Sequence, residues 1–437
     1  MSRVNLAPSA DRKVVAAWCL YDWANSAFTT LVVTFVYSTF FAATFVDDPG
    51  RGTALWSRGV ALSAILIAVL APFAGVVADR GDRSRYLTAC TITCCGLTAL
   101  LTFVRPGPPG AVWLALTVFV VANVAYELGL VFYNAILPTI ATADRIGRVS
   151  GYGWGLGYAG AILCLVLALP LTVNQPPFGI STEAGFNIRT TNLVVAGWYL
   201  LFSVPLLLYA RSSHRPPSSL DMRRVISELR HTITQVRQYR QVVRFLIARM
   251  IYNDGLITIF AFGGIYAYGT FGFTQSEVIV FAIALNVVAG IGAWLFGYVD
   301  DAIGGKRTVL ISLLFLSVAT LMAVLAPNRV WFWGAGLLLG FFLGPNQSAS
   351  RSLLARFAPR ERTAEFFGFF ALSGKATAFF GPLCLGILSD IYSQRVGVAS
   401  VLMFLLVGGV LLSTVNEEEG IRAGAEERAP GEGPDIR

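Results

Sequence analysis

The sequence predicts an all-α membrane protein of twelve transmembrane helices arranged in two six-helix halves. Apolar stretches of about 18 to 26 residues recur along almost the whole chain, charged residues gather in the short gaps between them, and segments of the first half return in the second. A helix rises about 1.5 Å per residue and must satisfy its own backbone where no water reaches, so a crossing needs roughly 20 residues. Apolar residues make up 55% of the chain and charged residues 13%, against about a quarter charged in a soluble domain, which excludes a water-soluble reading.

The elements follow in order. Span 1 (14–42) carries Asp22 and Asn25 and lacks the short apolar region and small-residue cleavage site of a leader, so it is expected to remain as a span. Spans 2 to 6 cover 55–78, 86–104, 111–136, 150–172 and 192–211; spans 7 to 12 cover 243–268, 277–299, 308–326, 330–349, 364–388 and 396–414. The expected organisation is a cytoplasmic N-terminus (1–13), a first half (14–211), a basic linker (212–242), a second half (243–414) and a disordered tail rich in Glu, Gly and Pro (415–437). In the linker, Ser219 is placed to cap a helix in which Met222, Ile226, Leu229, Ile233 and Val236 recur at helical spacing opposite five arginines, the pattern of a helix lying on an anionic leaflet or under the bundle. A solvated linker is the other reading.

The net charge of +8 does not point to nucleic acid, because its placement follows the membrane. Lys and Arg concentrate at the N-terminus, after spans 2, 4, 8 and 10 and in the linker, while the opposite loops hold about six, the asymmetry of cytoplasmic against external loops. Both termini are therefore expected in the cytoplasm, and the preference for Arg over Lys suits a bacterial inner (plasma) membrane. All six cysteines fall inside spans and both histidines in the linker, so neither a metal centre nor histidine catalysis is expected, and no cofactor is implied. Gly155-Leu-Gly157-Tyr-Ala-Gly160 fits a dinucleotide fingerprint only in letters, since no strand precedes it; close helix packing explains it better, and Gly344-Pro345 and Gly381-Pro382 are expected to mark kinks.

Three segments repeat. Gly75-Val-Val-Ala-Asp79-Arg80-Gly-Asp82-Arg83-Ser-Arg85 after span 2 matches Gly297-Tyr-Val-Asp300-Asp301-Ala-Ile-Gly304-Gly-Lys306-Arg307 after span 8. Gly151 to Gly157 echoes Gly368 to Gly374, and Ala17 to Asp22 echoes Ala248 to Asp254. Six spans used twice in one orientation resemble the plan of the major facilitator superfamily, and the two loops resemble its signature, with Asp82 departing where the second copy has Gly304. The resemblance implies a gate at these loops, where each Asp pairs with a basic side chain or a helix N-terminus. A charged turn kept only for topology is the plainer reading.

Tyr21-Asp-Trp-Ala-Asn-Ser-Ala-Phe28, Tyr133-Asn-Ala-Ile-Leu-Pro138, the run from Gly147 to Gly160 and Ser373 to Thr377 further resemble the vacuole effluxer family, whose fungal members include autophagy-related vacuolar amino-acid exporters. The resemblance implies a small-molecule substrate and alternating access, and it places spans 1, 4, 7 and 10 around one water-filled space. An ionisable group at membrane depth is unfavourable without a partner or water, so each is a candidate. The candidates are Asp22 and Asn25 on span 1, Asn123, Glu127 and Asn134 on span 4, Arg249, Asn253 and Asp254 on span 7, Asn346, Gln347 and Arg351 on span 10, and Lys375 on span 11. Glu127 can carry a proton or form a structural ion pair with Lys375; Asp22 and Asp254 can pair with Arg249. A monomeric secondary transporter in the lipid bilayer, with protons as a candidate coupling ion, leads over a uniporter or an exporter of another metabolite or drug, and over a non-transporting receptor or scaffold. An enzyme would need a nucleophile and base that are not found.

Overall fold

The computed structural model describes residues 11–173, 175–209, 225–227, 229–230 and 238–426. The N-terminal residues to 10, the tail after 426 and most of the expected linker helix, including Ser219 and Met222, lie outside the described residues.

Twelve spans follow one another, and no strand occurs among the described residues. We label them α1 (Arg12–Thr44), α2 (Pro49–Arg80), α3 (Arg83–Leu101), α4 (Ala111–Ile140), α5 (Ile146–Ala168), α6 (Phe186–Tyr209), α7 (Arg240–Phe271), α8 (Gln275–Ile303), α9 (Gly305–Leu325), α10 (Arg329–Phe357), α11 (Thr363–Lys375 continued by Phe380–Ile391) and α12 (Gln394–Ser413). Ten of the described spans combine the length and apolar composition of a membrane crossing, and α3 and α10 complete the bundle. The α10 helix is polar because it is enclosed by protein: Asn346, Ser348, Ser350, Arg351 and Ser352 are all buried. Helices of about 30 residues are roughly 45 Å long, so they outreach the hydrocarbon core and carry their charged ends beyond it.

Within the first half α1 packs on α5 and α6, and α4 on α2 and α3; within the second, α10 packs on α8 and α9, and α7 on α12. The halves meet along two broad faces, α2 on α11 and α5 on α8. Glycine makes both possible. A Cβ added at Gly368 would overlap the carbonyl oxygen of Ala71, and one at Gly151 that of Ala293, so the echoed glycine runs perform equivalent packing in the two repeats.

Several helix ends are fixed by side chains. Asp48 caps α2 through Gly50 N, with Pro49 at the first helical position, Thr274 and Glu277 form a capping box on α8, and Asn328 and Ser393 cap α10 and α12.

Several features refine the expectation. Residues Phe28–Phe35 of α1 form a π-helical segment. The α10 helix continues through Pro345, and the disruption expected from Gly381-Pro382 is a break in the preceding turn, at 376–379, leaving Lys375 at the end of a half-helix. Span 6 begins at Phe186 rather than 192. Part of the tail expected to lack order is helical: α13 (Glu417–Glu426) seats Gly420 and Gly424 against Phe357 at the end of α10. That contact is tertiary, which is why the polar composition alone misleads.

Candidate functional site

The two repeated loops build one symmetric lock between the halves. Asp79, near the end of α2, accepts the Ala364 amide at 3.0 Å and the Glu365 amide at 2.8 Å, both in the first turn of α11, and Arg83 Nη2 at 2.5 Å. Asp301, at the end of α8, accepts the Gly147 amide at 2.8 Å and the Arg148 amide at 3.2 Å in the first turn of α5, and Arg148 Nε at 2.6 Å. In each case a carboxylate of one half neutralises the orphan N–H groups and positive end of a helix in the other half. Asp300 adds a contact within the second half, with Arg356 Nη1 at 2.5 Å and the Ser352 hydroxyl, and Arg356 also approaches Asp301 at 3.5 Å.

The departure of the first loop from the second has a structural explanation. Asp82 caps α3 by accepting Ser84 N at 3.0 Å. Gly304, its counterpart, adopts φ +92° and has no side chain to offer. Glu417 of α13 takes over, accepting Gly305 N at 2.9 Å and Lys306 N at 3.1 Å at the start of α9. Lys306 Nζ joins α9 to α12 by donating to Ser413 O at 2.8 Å, and Gln241 of α7 donates to Glu419 at 2.8 Å, so the tail helix ties α7, α9 and α10 together at this end. Among the other loop residues, Gly75 and Gly297 allow the close helix approach, Arg85 pairs with Asp82 at 3.3 Å, Arg80 is half-buried and Arg307 is exposed.

Inward from the lock, the polar residues form layers. Arg351 of α10 lies 4% exposed and joins the halves: Nη1 reaches Asp22 Oδ2 at 2.9 Å, Nε donates to Ser150 Oγ at 2.9 Å and Nη2 to Ser150 O at 2.7 Å. Its guanidinium lies 4.6 Å from the Trp18 ring and 5.8 Å from that of Tyr133, and Asn134 Oδ1 is 3.5 Å away. Trp18 and Tyr133 hold each other through reciprocal side-chain-to-backbone hydrogen bonds. Asn25 bridges Asp22 at 3.3 Å and the Tyr126 hydroxyl at 3.2 Å.

Seven residues from Asn134 along α4, about 10 Å by helix rise, Glu127 meets Lys375 of α11 at 2.6 Å. Both side chains are half-buried. Arg249 of α7 donates to Phe370 O and Ser373 Oγ, each at 2.8 Å, with the Phe370 ring 3.5 Å beneath it. Asn253 donates to Gly374 O at 3.2 Å. The expected alternatives that pair Arg249 with Asp22 or Asp254 are corrected: Asp22 belongs to Arg351, and Arg249 meets neutral acceptors.

Three further candidates pack helix on helix, Asn123 and Asn346 within a half and Gln347 across the two halves. Asn123 donates to Ser63 Oγ at 2.7 Å, Asn346 to Ser312 Oγ at 3.1 Å, and Gln347 accepts the Tyr158 hydroxyl at 3.4 Å. A groove of about 1220 Å³ runs between α1, α5, α6 and α8 and contains none of the sequence-selected residues. It is mostly apolar, and its lining includes Arg12, Lys13, Arg145 and Arg148. Polar groups from both halves converge instead on the ion-paired axis of Asp22, Arg351, Glu127 and Lys375. Sequence reasoning missed Ser150, Trp18, Arg148, Arg356 and Glu417; Arg148 and Ser150 carried a signal in the motif from Gly147 to Gly160, and Trp18 in the repeat from Ala17 to Asp22.

The family model described as "Vacuole effluxer Atg22 like" matches residues 53–425. The chain belongs to this family. It is 26% identical over 412 residues to an uncharacterized MFS-type transporter, YxiO, of Bacillus subtilis, covering 92% of this chain and 94% of that protein. It is 24% identical over 311 residues to autophagy-related protein 22-1 of Penicillium rubens, covering 64% of this chain and 51% of the fungal protein, and so spans about half of that relative. Among solved structures, the major facilitator transporter FucP in its outward conformation superposes with TM-score 0.74 at 13% identity, covering 93% of this chain and 100% of that one. The proton:xylose symporter XylE gives TM-score 0.74 at 13% identity, covering 97% and 99%. Fold and family are those of major facilitator transporters, multi-pass membrane proteins, and not of enzymes.

Proposed function

We propose that this member of the effluxer family is a secondary active transporter that moves a small polar solute by rocking its two halves, and that the present arrangement is the state closed at the Asp79 and Asp301 end. The observation that carries this reading is the reciprocal capping of α11 by Asp79 and of α5 by Asp301, which opening at this end must break. We assign this end to the cytoplasm from the loop charges, with both termini on the same side and the protein a monomer in the plasma membrane of a bacterium. The layer of Glu127, Lys375 and Arg249 suits a zwitterion such as an amino acid, because it offers charges of both signs next to half-buried polar groups. The vacuole effluxer name of the family and the autophagy-related names of the fungal relatives favour export. Glu127 is the proposed proton carrier, released when substrate competes for Lys375.

Purified protein in liposomes loaded with a defined metabolite mixture tests this reading by mass spectrometry of the external medium. The expected result is saturable, protein-dependent loss of one polar class, abolished by Asp79→Asn with Asp301→Asn. If zwitterions stay inside while another class leaves, the amino-acid assignment falls and the transporter stands.

A further inference from the structure

We propose that Asp254 of α7 and the interrupted stretch of α11 opposite it form a binding site for one monovalent cation, Na+ or H+. Asp254 is the fifteenth residue of a 32-residue span and is 3% exposed. Its Oδ1 is buried and accepts no hydrogen bond, and the Thr377 hydroxyl of the interrupted stretch donates instead to Met250 O at 3.3 Å. The other carboxylates along the axis each have a cation, Asp22 in Arg351 and Glu127 in Lys375, and Asp254 forms no ion pair among the described residues. The charges on the surrounding elements are already engaged. Arg249, one helical turn earlier on α7, is held by Phe370 O and Ser373 Oγ, and Lys375 on α11 is held by Glu127. From α12, the neighbours of this turn are Phe404 and Leu405, which are apolar. A bare carboxylate at this depth is unfavourable without compensation, so a bound proton or metal cation must balance it.

The break in α11 supplies the remaining ligands. Its helical ladder stops at Lys375 and resumes at Phe380, directly beside Asp254: a Cβ at Gly381 would overlap Thr258 Oγ1 and crowd Asp254 O. The carbonyl end of a half-helix carries partial negative charge, and transporters use such ends to coordinate Na+ or H+. Asn253 pins that end through Gly374 O, and the same turn offers the hydroxyl oxygens of Thr377 and of Thr258, which donates to the Asp254 carbonyl at 2.7 Å. Every available ligand is a hard oxygen donor, which suits a proton or a hard cation and offers nothing to a thiophilic metal. One carboxylate matches one unit charge.

The proposal rests on the transporter reading only for its consequence, that this ion is coupled to flux; the binding test requires no transport, so the two fail separately. Thermal unfolding of the full chain in nanodiscs, in choline chloride, is followed while NaCl, KCl or pH is varied. If Na+ is the ligand, NaCl but not KCl raises Tm saturably in the wild type, and Asp254→Asn loses the rise. If H+ is the ligand, NaCl has no specific effect and the dependence of Tm on pH is weaker in Asp254→Asn than in the wild type. Thr377→Val keeps the carboxylate and shifts the midpoint of whichever response occurs, which preserves the test should Asp254→Asn not fold. The proposal is overturned if wild type, Asp254→Asn and Thr377→Val respond alike to Na+ and to pH, or if KCl and NaCl act equally and the pH dependence is unchanged.

Discussion

Arg351→Gln isolates the buried contact that joins α1 to α10. The substitution removes the 2.9 Å bond to Asp22 and leaves that carboxylate, 7% exposed, with only Asn25 at 3.3 Å. Removing one partner of such a pair costs about 3–5 kcal/mol, whereas replacing both with apolar groups is often close to neutral. At 1.36 kcal/mol per factor of ten, this corresponds to roughly two to four orders of magnitude in a conformational equilibrium. The molecule has an escape, because parting the halves hydrates Asp22, and the cost of opening then caps the loss. The expected outcome is therefore a population shift rather than simple unfolding. Spin labels at Arg85→Cys and Arg307→Cys, both exposed at this end on opposite halves, report it by double electron–electron resonance in a background lacking the native cysteines. Arg351→Gln should populate a longer distance, and Asp22→Leu combined with Arg351→Met should restore much of the short one. An unchanged distance distribution together with unchanged Tm in Arg351→Gln would refute the assignment of this pair as a tie between the halves.

Asp79→Asn and Asp301→Asn each weaken one cap made to two backbone amides, and hydrogen bonds to a charged group contribute about 1.5–3 kcal/mol each, so either variant should shift the same distance and the double variant should shift it further. Equal flux and equal distances in both variants would remove these loops from the gate. Glu417→Gln keeps one acceptor at the start of α9 and loses the charge; we expect a loss of about 1 kcal/mol in stability, read by thermal unfolding, with a matching loss on deleting residues 417–437. If the deletion leaves Tm unchanged, the tail helix does not staple the second half. Glu127→Gln preserves the shape at Lys375 and removes the carboxylate, so on the proposed carrier role flux driven by a pH gradient should vanish while substrate-induced Tm shifts persist; wild-type gradient-driven flux rules it out as the carrier. Single cysteines at exposed positions of the Asp79 end should be inert to impermeant thiol reagents in intact cells, and strong labelling from outside would invert the assigned topology.

The spans were legible because a lipid core imposes a length and an apolar composition that survive in the raw sequence, and the loop repeats were legible because Gly75 and Gly297 each precede their Asp by four residues. The helix-end partners of Asp79 and Asp301 follow from electrostatics once two halves are assumed. Partners inside the bundle do not. Asp22 and Arg351 are 329 residues apart, and nothing local distinguishes Arg351 from Arg249 as the partner of Asp22. The break at 376–379 was signalled by Pro382, which lacks the N–H for the carbonyl of Ala378 and crowds it, so the ladder fails in the turn before the proline. Glu417 was invisible as a cap because its target, the bare α9 terminus at Gly304, lies on another helix.

Rocking of the two halves requires the two ends of this molecule to open reciprocally. Distances between labels at Arg85 and Arg307 at one end, and at Pro108 and Pro327 in the exposed loops between α3 and α4 and between α9 and α10, measure both ends in the same preparation. In passing from wild type to the Asp79→Asn, Asp301→Asn double variant, the first distance should lengthen and the second shorten. Distances that change in the same direction, or a first distance that lengthens with the second unmoved, would contradict alternating access by rocking of the two halves.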